Sequence, residues 1–448
     1  MLLHVADCCY TNVSAGPAHH VRPAHMYMET FSLLILILFA VSRLVRYALD
    51  YLNIRYARKH RGEIPEPLEN VLTADLLSRT ERYLEDQTRL ATVSSAVSSM
   101  IVVVFVFGGP IEGFDQWIAA RGLPAPLAGW LYFTIIYLAT EILDLPFSLW
   151  HTFKIEQSYG FNTTTPRLWL SDLVKSTLLS LAVIALVVPL AVWVAGWSQE
   201  GWWLWVWTFL CAFGVFVMYV SPYVIEPLFN TFTPLGDQDL RQEILTMVER
   251  VGVRVSRVLL MDASRRSKHS NAYFTGIGRT KRIVLFDTLV NGMAHNEVLA
   301  VLAHELGHWR GRHVLKSLIV TEGALLLMLN GAFHLMNGNA LPMMFGTQEL
   351  SLFSKAVLVA VLGSIVALPA GAVFNMISRH FERNADRFGL SLSRNPDALV
   401  SALVKLSKEN LSNLHPHPLY AAIYYSHPPI VERIRTIRAQ TPADALKG

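Results

Sequence analysis

The sequence has few cysteines and few charged residues. Three cysteines occur in 448 residues. Cys8 and Cys9 are adjacent and Cys211 lies in an apolar run, which excludes a disulfide framework and a cysteine-based zinc site. Charged residues make up 16% of the chain, whereas soluble domains carry about a quarter. The net charge is only +4 and no DNA- or RNA-binding motif is present, so we expect no nucleic-acid partner.

The chain is rich in long apolar segments. Hydrophobic residues are 52% of the total and the mean hydropathy is +0.36. A helix needs about 20 apolar residues to cross a bilayer. Seven segments meet that requirement, near residues 30–49, 91–109, 127–150, 174–197, 202–226, 316–336 and 354–378. The third segment contains Glu141 and Asp144, which we expect to face the protein interior or a water-filled cavity.

Residues 1–28 differ from the apolar block that follows them. They are polar, contain several histidines and lack the basic stretch that opens a secretory signal. Met26 and Met28 lie immediately before the first apolar block, so either is a candidate start. We therefore predict that this segment is a disordered or mis-called N-terminal extension, and that the first apolar block is a retained anchor.

Lysines and arginines in the connecting segments indicate how the chain threads through the membrane. Seven occur in 50–90, one in 110–126, two in 151–173 and none in 337–353, while 227–315 and the tail after 378 are rich in them. Segments rich in basic residues stay in the cytoplasm. The alternation of high and low counts predicts an N-terminus outside the cytoplasm, seven crossings and a cytoplasmic C-terminus.

The stretch VLAHELGHW contains an HExxH motif. His304 and His308 are four residues apart, so on a helix both imidazoles lie on one face and can bind the same metal ion. Two imidazoles and a carboxylate suit zinc, and Glu305 can then act as the general base of a metalloprotease. The alternative is a buried amphipathic helix with two solvated histidines. The proline-free helical context from Glu297 to Trp309 favours the metal site.

A third metal ligand is predicted in the stretch SRHFERNADRFG, which contains Glu382 and Asp386. Two crossings separate this stretch from the HExxH motif, so a transmembrane hairpin returns it to the same side of the membrane. We predict Glu382 as the ligand and Asp386 as the acceptor that orients a zinc-bound histidine. His313 and His380 are rival ligands, and a solvated charged helix is the alternative for the two carboxylates.

These motifs together resemble those of the membrane-embedded CAAX prenyl protease type 1 family of gluzincin zinc metalloproteases. HELGH is followed at the family's distance by ERNAD. Four further stretches resemble the same family: KIEQSYGFNTTT, IEPLFNTFTPL, SKHSNAYFTGIGRTKRIVLFDTL and YYSHPPIVERI. The resemblance covers most of the chain from about residue 150 to 436, and the seven spans agree with it.

The resemblance implies roles for three more residues. Asn271 and His427 match positions that contact the substrate and the transition state, and Arg433 matches a third. Asn and His can donate hydrogen bonds to a developing oxyanion, while Arg can hold a carboxylate or support a histidine. Without the resemblance, the three would be interpreted as a turn residue, a loop histidine and a solvated charge.

The expected fold is an all-α polytopic membrane protein whose seven helices enclose a chamber. Residues 29–226 would form a membrane domain with five spans. Residues 227–448 would form a cytoplasmic zinc-metalloprotease domain that contains the last two spans, 316–336 and 354–378. RVLLMD and RIVLFD predict two short strands flanking the loop that holds Asn271.

The expected function is zinc-dependent peptide hydrolysis in the membrane, with one Zn²⁺ per chain. By resemblance, the substrate is a peptide or protein, prenylated at a CAAX terminus, that loses its last three residues. The alternatives are a bacterial-type quality-control protease acting on unprenylated substrates, and a catalytically silent zinc-binding membrane protein. The expected location is the endoplasmic reticulum membrane or a bacterial inner membrane.

Overall fold

A computed structural model describes residues 22–69, 73–276, 281–338, 340–347 and 350–440. The helices, in chain order, are α1 (Arg22–Lys59), α2 (Ala74–Phe107), α3 (Pro110–Ala119), α4 (Ala125–Trp150), α5 (Pro166–Ala195), α6 (Trp202–Val220), α7 (Ile225–Phe229), α8 (Gln238–Arg250), α9 (Asp287–Gly292), α10 (His295–Arg310), α11 (His313–Met336), α12 (Ala340–Phe345), α13 (Leu352–Ser393), α14 (Pro396–Glu409), α15 (Pro418–Tyr424) and α16 (Ile430–Ala439). Residues 1–21 of the predicted N-terminal extension lie outside the described residues. Residues 22–28, the rest of that extension, form the start of α1.

Seven helices in the described part of the chain are long and apolar enough to cross a membrane: α1, α2, α4, α5, α6, α11 and α13. Each coincides with a predicted apolar segment, so the expected number of spans is confirmed. Polar residues fix where several of them begin. Thr73, Thr165 and Ser351 each accept a hydrogen bond from the N–H three residues on, at the starts of α2, α5 and α13. Such caps satisfy N–H groups that have no partner in a first helical turn.

The seven spans form a closed ring. Contacts link α1 to α2, α2 to α4, α4 to α5, α5 to α6, α6 to α11, α11 to α13, and α13 back to α1, and α13 also contacts α4. Only 6–17% of the residues in the most apolar stretch of each span are buried. The spans therefore follow one another around a ring, which is the arrangement that an enclosed chamber needs.

Two short helices, α3 and α12, pack where α13 begins. Asp115 of α3 accepts a hydrogen bond from the Ser351 N–H at 2.9 Å and from the Ser354 hydroxyl at 2.6 Å. The Ser354 hydroxyl also lies 2.9 Å from the hydroxyl of Tyr132 in α4. Helix α12 contacts α1, α11 and α13. This polar cluster fixes where α13 begins. It lies at the end of the ring that carries the loops with few lysines and arginines.

A four-stranded sheet lies in the segment between the fifth and sixth spans. Its strands are β1 (Phe232–Pro234), β2 (Arg257–Met261), β3 (Ala272–Thr275) and β4 (Arg282–Phe286), in the order β1-β2-β4-β3. β2 pairs parallel with β4, with Leu259 opposite Val284, and β3 pairs antiparallel with β4. The two predicted strands, β2 and β4, are confirmed. β1 and β3 add an edge strand on either side, and Asn271 comes directly before β3.

Candidate metal centre

Helix α10 carries the HExxH stretch and is packed against the sheet. Its fully buried residues Val298, Leu302 and Leu306 share one core with Ile283 and Leu285 of β4. At the start of the helix, the Glu297 carboxylate accepts a hydrogen bond from the Ala294 N–H at 2.7 Å. This bond satisfies a donor of the first turn and fixes where the helix begins.

Two glycines allow α10 and α13 to approach each other closely. A Cβ atom on Gly307 would lie 2.7 Å from the Cα of Ala385, and one on Gly389 would lie 3.0 Å from the Cα of His304. Only glycine permits backbones to pack at this distance. The close contact brings residue 382 of α13 beside the two histidines of α10.

We predict that Gly307→Ala separates the two helices. The added methyl group meets the backbone of Ala385, and overpacking of this kind costs about 1–3 kcal/mol. Thermal unfolding should therefore begin at a lower temperature and bound metal should decrease. Gly331→Ala in α11 is the matched control, because its Cβ would meet nothing within 4 Å. Equal melting temperatures and metal contents of the two variants would contradict the close-packing argument.

Three side chains converge where α10 meets α13. His304 Nε2 and His308 Nε2 are 3.2 Å apart. Glu382 Oε2 lies 3.3 Å from His304 Nε2, and Glu382 Oε1 lies 3.2 Å from His308 Nε2. Within the described residues, these three form the group of side chains whose ligand atoms could hold a metal ion. Glu382 is buried, and its Oε2 has no hydrogen-bond partner.

The other nitrogen of His304 is held by a buried ion pair. His304 Nδ1 lies 2.8 Å from Asp386 Oδ1. Arg433 of α16 donates to both carboxylate oxygens of Asp386, from Nη2 at 2.6 Å and from Nε at 2.9 Å. This arrangement fixes the ring orientation of His304 and directs its Nε2 toward Glu382. Arg433 thus contacts the site mainly through Asp386, and its Nη2 also lies 3.4 Å from His304 Nδ1.

The two rival ligands lie elsewhere. His313 is buried, stacks on Phe381 with ring centroids 4.4 Å apart, and places its Nδ1 3.1 Å from His308 Nδ1. It therefore contacts the side of His308 that faces away from Glu382. His380 is exposed, and its Nε2 lies 3.1 Å from the side-chain amide of Asn384. Neither histidine joins the group formed by His304, His308 and Glu382.

A cavity of about 160 Å³ adjoins this group and is lined by the remaining predicted residues. Glu305, Asn271 and His427 all line it, together with apolar side chains that include Leu289 and Leu403. Burial raises the pKa of the Glu305 carboxyl. His427 Nε2 lies 3.2 Å from Glu382 Oε1, and the Ser426 hydroxyl lies 2.9 Å from His427 Nδ1. The cavity thus combines a carboxyl whose pKa is raised with the polar side chains of Asn271 and His427.

All eight predicted site residues lie in this one region: Asn271, His304, Glu305, His308, Glu382, Asp386, His427 and Arg433. Sequence reasoning did not identify Gly307 and Gly389 as the contacts that bring the two helices together. It also left His313 as a rival ligand, although the structure places it behind His308. The glycine in HELGH was the available indication of the close approach, because glycine is unfavourable inside a helix and suits a position where another backbone comes close.

Comparison with known proteins gives consistent matches over most of the chain. The family described as CAAX prenyl protease N-terminal, five membrane helices, matches residues 53–231, and Peptidase family M48 matches residues 234–441. A CAAX prenyl protease 1 homolog of Arabidopsis thaliana is 34% identical over 390 residues, covering 84% of this chain and 90% of that protein. An uncharacterized metalloprotease of Bacillus subtilis is 28% identical, covering 80% of this chain and 84% of its own length.

A solved structure has the same architecture. The crystal structure of Ste24p from S. mikatae superimposes with a TM-score of 0.82 at 26% sequence identity, covering 93% of this chain and 99% of that one. Both halves of the chain therefore match one kind of protein in sequence and in fold. The chain belongs to peptidase family M48 and is a membrane metalloprotease of the CAAX prenyl protease type.

Proposed function

We propose that His304, His308 and Glu382 bind one zinc ion and that this site hydrolyses peptide bonds. Two imidazoles with one carboxylate are a donor set typical of catalytic zinc. Tetrahedral ligands about 2.0–2.1 Å from zinc stand about 3.3 Å from one another. The two Nε2 atoms are 3.2 Å apart, and they lie 3.3 and 3.2 Å from the Oε2 and Oε1 atoms of Glu382, which is close to that spacing. The buried Oε2 of Glu382 makes no hydrogen bond, and this supports a metal ion as its partner.

A zinc ion bound there supplies Lewis acidity, which polarises the scissile carbonyl and makes a nearby water more acidic. Glu305 is the proposed general base. Because burial raises the pKa of its carboxyl, Glu305 accepts a proton from the attacking water more readily than an exposed glutamate would. The same carboxyl then passes the proton to the departing amine.

His427 and Asn271 are the proposed donors to the oxyanion. When the Ser426 hydroxyl donates to His427 Nδ1, the proton of the neutral ring is on Nε2. Asn271 uses its side-chain oxygen to accept from the Ala272 N–H at 2.8 Å, which orients the amide nitrogen as a hydrogen-bond donor. Arg433 is proposed to act through Asp386, by holding His304 in the orientation that binds metal.

Strand β3 offers a backbone template for the substrate. It is the edge strand of the sheet, it contacts α10, and Asn271 precedes it. Extended peptides add to exposed sheet edges through main-chain hydrogen bonds. We therefore propose that the substrate lies as an extended segment along β3, with its scissile bond at the cavity that Glu305 lines.

The proposed substrate is a prenylated protein with a CAAX terminus, which would lose its last three residues. The relatives named CAAX prenyl protease 1 support this assignment. The proposed metal site at one end of a ring of membrane helices supports it as well, because a prenylated substrate is held in the membrane. The proposed organisation is a membrane domain at residues 29–226 and a protease domain at 227–448. The basic loops support an external N-terminus and a cytoplasmic C-terminus, in the endoplasmic reticulum of a eukaryote or the inner membrane of a bacterium.

Mass analysis of cleavage products tests the proposed substrate. Purified protein in lipid vesicles would be incubated with a farnesylated CAAX peptide and with the same peptide unmodified. We expect release of the C-terminal tripeptide from the farnesylated peptide, at a rate at least about tenfold higher, because the lipid adds apolar binding area. Equal rates would instead favour a quality-control protease. Bound zinc without any cleavage would favour a silent zinc-binding protein.

A further inference from the structure

The segment that leads into β3 is attached to the membrane domain. Ser267 forms an isolated antiparallel bridge with Asn162, which lies between α4 and α5. The Lys268 N–H donates to the Phe161 carbonyl at 3.1 Å, and the Thr163 N–H donates to the Arg266 carbonyl at 3.3 Å. The backbone just before Asn271 is therefore positioned by the loop that follows the third span.

A buried carboxylate lies beside this attachment. Glu156 ends the π-helical segment His151–Glu156, which continues α4. Glu156 is only 9% exposed. Its Oε1 accepts a hydrogen bond from the Tyr83 hydroxyl of α2 at 2.6 Å, and its Oε2 lies 3.3 Å from His269 Nε2. Single π-helical turns are frequent at functional sites, and the two domains meet here.

His269 joins that carboxylate to the protease domain. Its Nδ1 lies 2.8 Å from the side-chain oxygen of Asn410, at the end of α14, and its ring packs 4.3 Å from the ring of Phe161. The hydroxyl of Thr288 in α9 donates to the His269 carbonyl at 3.0 Å. The hydrogen bond to Glu156 raises the pKa of His269, which agrees with both ring nitrogens donating to oxygen.

His269 does not itself line the catalytic cavity. It lines a separate cavity of about 330 Å³, together with His151, Glu156 and Arg266. Only Ser270 separates His269 from Asn271, whose side chain does line the catalytic cavity. The backbone from His269 to Asn271 is therefore the shortest covalent route by which His269 can affect catalysis.

We propose that His269 is a positioning residue: its bonds to Glu156 and Asn410 hold the segment Ser267–Asn271 so that Asn271 meets the substrate. The proposal rests on the proposed function of Asn271. In this role the His269 side chain connects the third span to β3, the strand of the protease domain along which the substrate is proposed to lie. A displacement of about 1 Å at such a site lowers the rate by up to roughly 100-fold.

A double-mutant cycle on kcat/KM tests this coupling, with bound zinc and melting temperature measured for every variant. Asn271→Ala should lower kcat/KM on the order of 100-fold, the effect of losing one oxyanion donor. His269→Ala should lower it on the order of tenfold, mainly in kcat. The double variant should be no slower than Asn271→Ala alone, because the second change removes nothing further. His269→Gln, which keeps one donor for Glu156, should recover part of the loss.

His151→Ala is the matched control, because His151 Nε2 lies 3.6 Å from Glu156 Oε1 but has no link to Asn271. It should retain the parental kcat/KM. Multiplied losses in the double variant would show that His269 acts independently of Asn271 and would overturn the proposal. Parental activity of His269→Ala would do the same. Parental activity of Asn271→Ala would instead remove the proposed function of Asn271, and the inference with it.

Discussion

We expect Glu305→Gln to lose nearly all peptide cleavage while it keeps the proposed zinc ion. Glutamine has nearly the same shape as glutamate but cannot accept a proton from water, so the general base is lost while the two histidines and Glu382 remain. General-base catalysis contributes up to about 10⁴-fold, and we expect kcat to fall by roughly 10³- to 10⁴-fold. The measurement is kcat on a cleavable peptide, with zinc counted per chain by mass spectrometry of the metal.

The matched control for this variant is Glu432→Gln. Glu432 is a glutamate of α16 that pairs with Arg383 at the surface, where both side chains are 47% exposed. Its replacement should leave kcat and zinc content at the parental values. Cleavage at the parental rate by Glu305→Gln would refute the assigned base. Loss of zinc from that variant would show that Glu305 stabilises the site rather than acting on water.

Glu382→Ala removes the metal itself. Without Glu382, only two of the four positions of a tetrahedral zinc keep a protein ligand. The buried His304 and the half-buried His308 lose the carboxylate that they face at 3.2–3.3 Å. We expect less than one tenth of the parental zinc content after dialysis, since even outer partners of a zinc site change affinity by about 10- to 100-fold. Peptidase activity should fall with the zinc.

His380→Ala controls for disturbance of the same helix. His380 lies two positions before Glu382 on α13, is exposed and bonds to Asn384. This variant should keep full zinc content and activity. If instead His380→Ala lost zinc and Glu382→Ala retained it, the third ligand would be the histidine that sequence reasoning left as a rival.

The architecture could be predicted from the sequence because the apolar segments are long and each of the seven gives the same kind of evidence. Seven apolar blocks of about twenty residues define seven spans without reference to any contact. An even number of crossings separates His308 from Glu382, so threading alone places both at one membrane surface. The structure then places their ligand atoms 3.2 Å apart.

The finer features depended on contacts that no local pattern encodes. β1 and β3 contain three and four residues, too few for an alternating apolar pattern to appear. The bond between Arg433 and Asp386 joins residues 47 positions apart. Closure of the ring follows from which helices touch, and amino-acid composition does not determine that. For the same reason, no local pattern indicates that Glu156 and His269 meet.

The 42 residues of α13 form one helix, which begins at the Ser351 cap and carries Glu382 toward its C-terminal end. At 1.5 Å per residue this helix is about 60 Å long, roughly twice the hydrocarbon thickness of a bilayer. A membrane-spanning helix therefore carries one of the three proposed metal ligands, while α10 carries the other two. We expect that a water-soluble fragment without α13 cannot assemble the proposed metal centre, and that lipids that tilt this helix alter the enzyme's turnover.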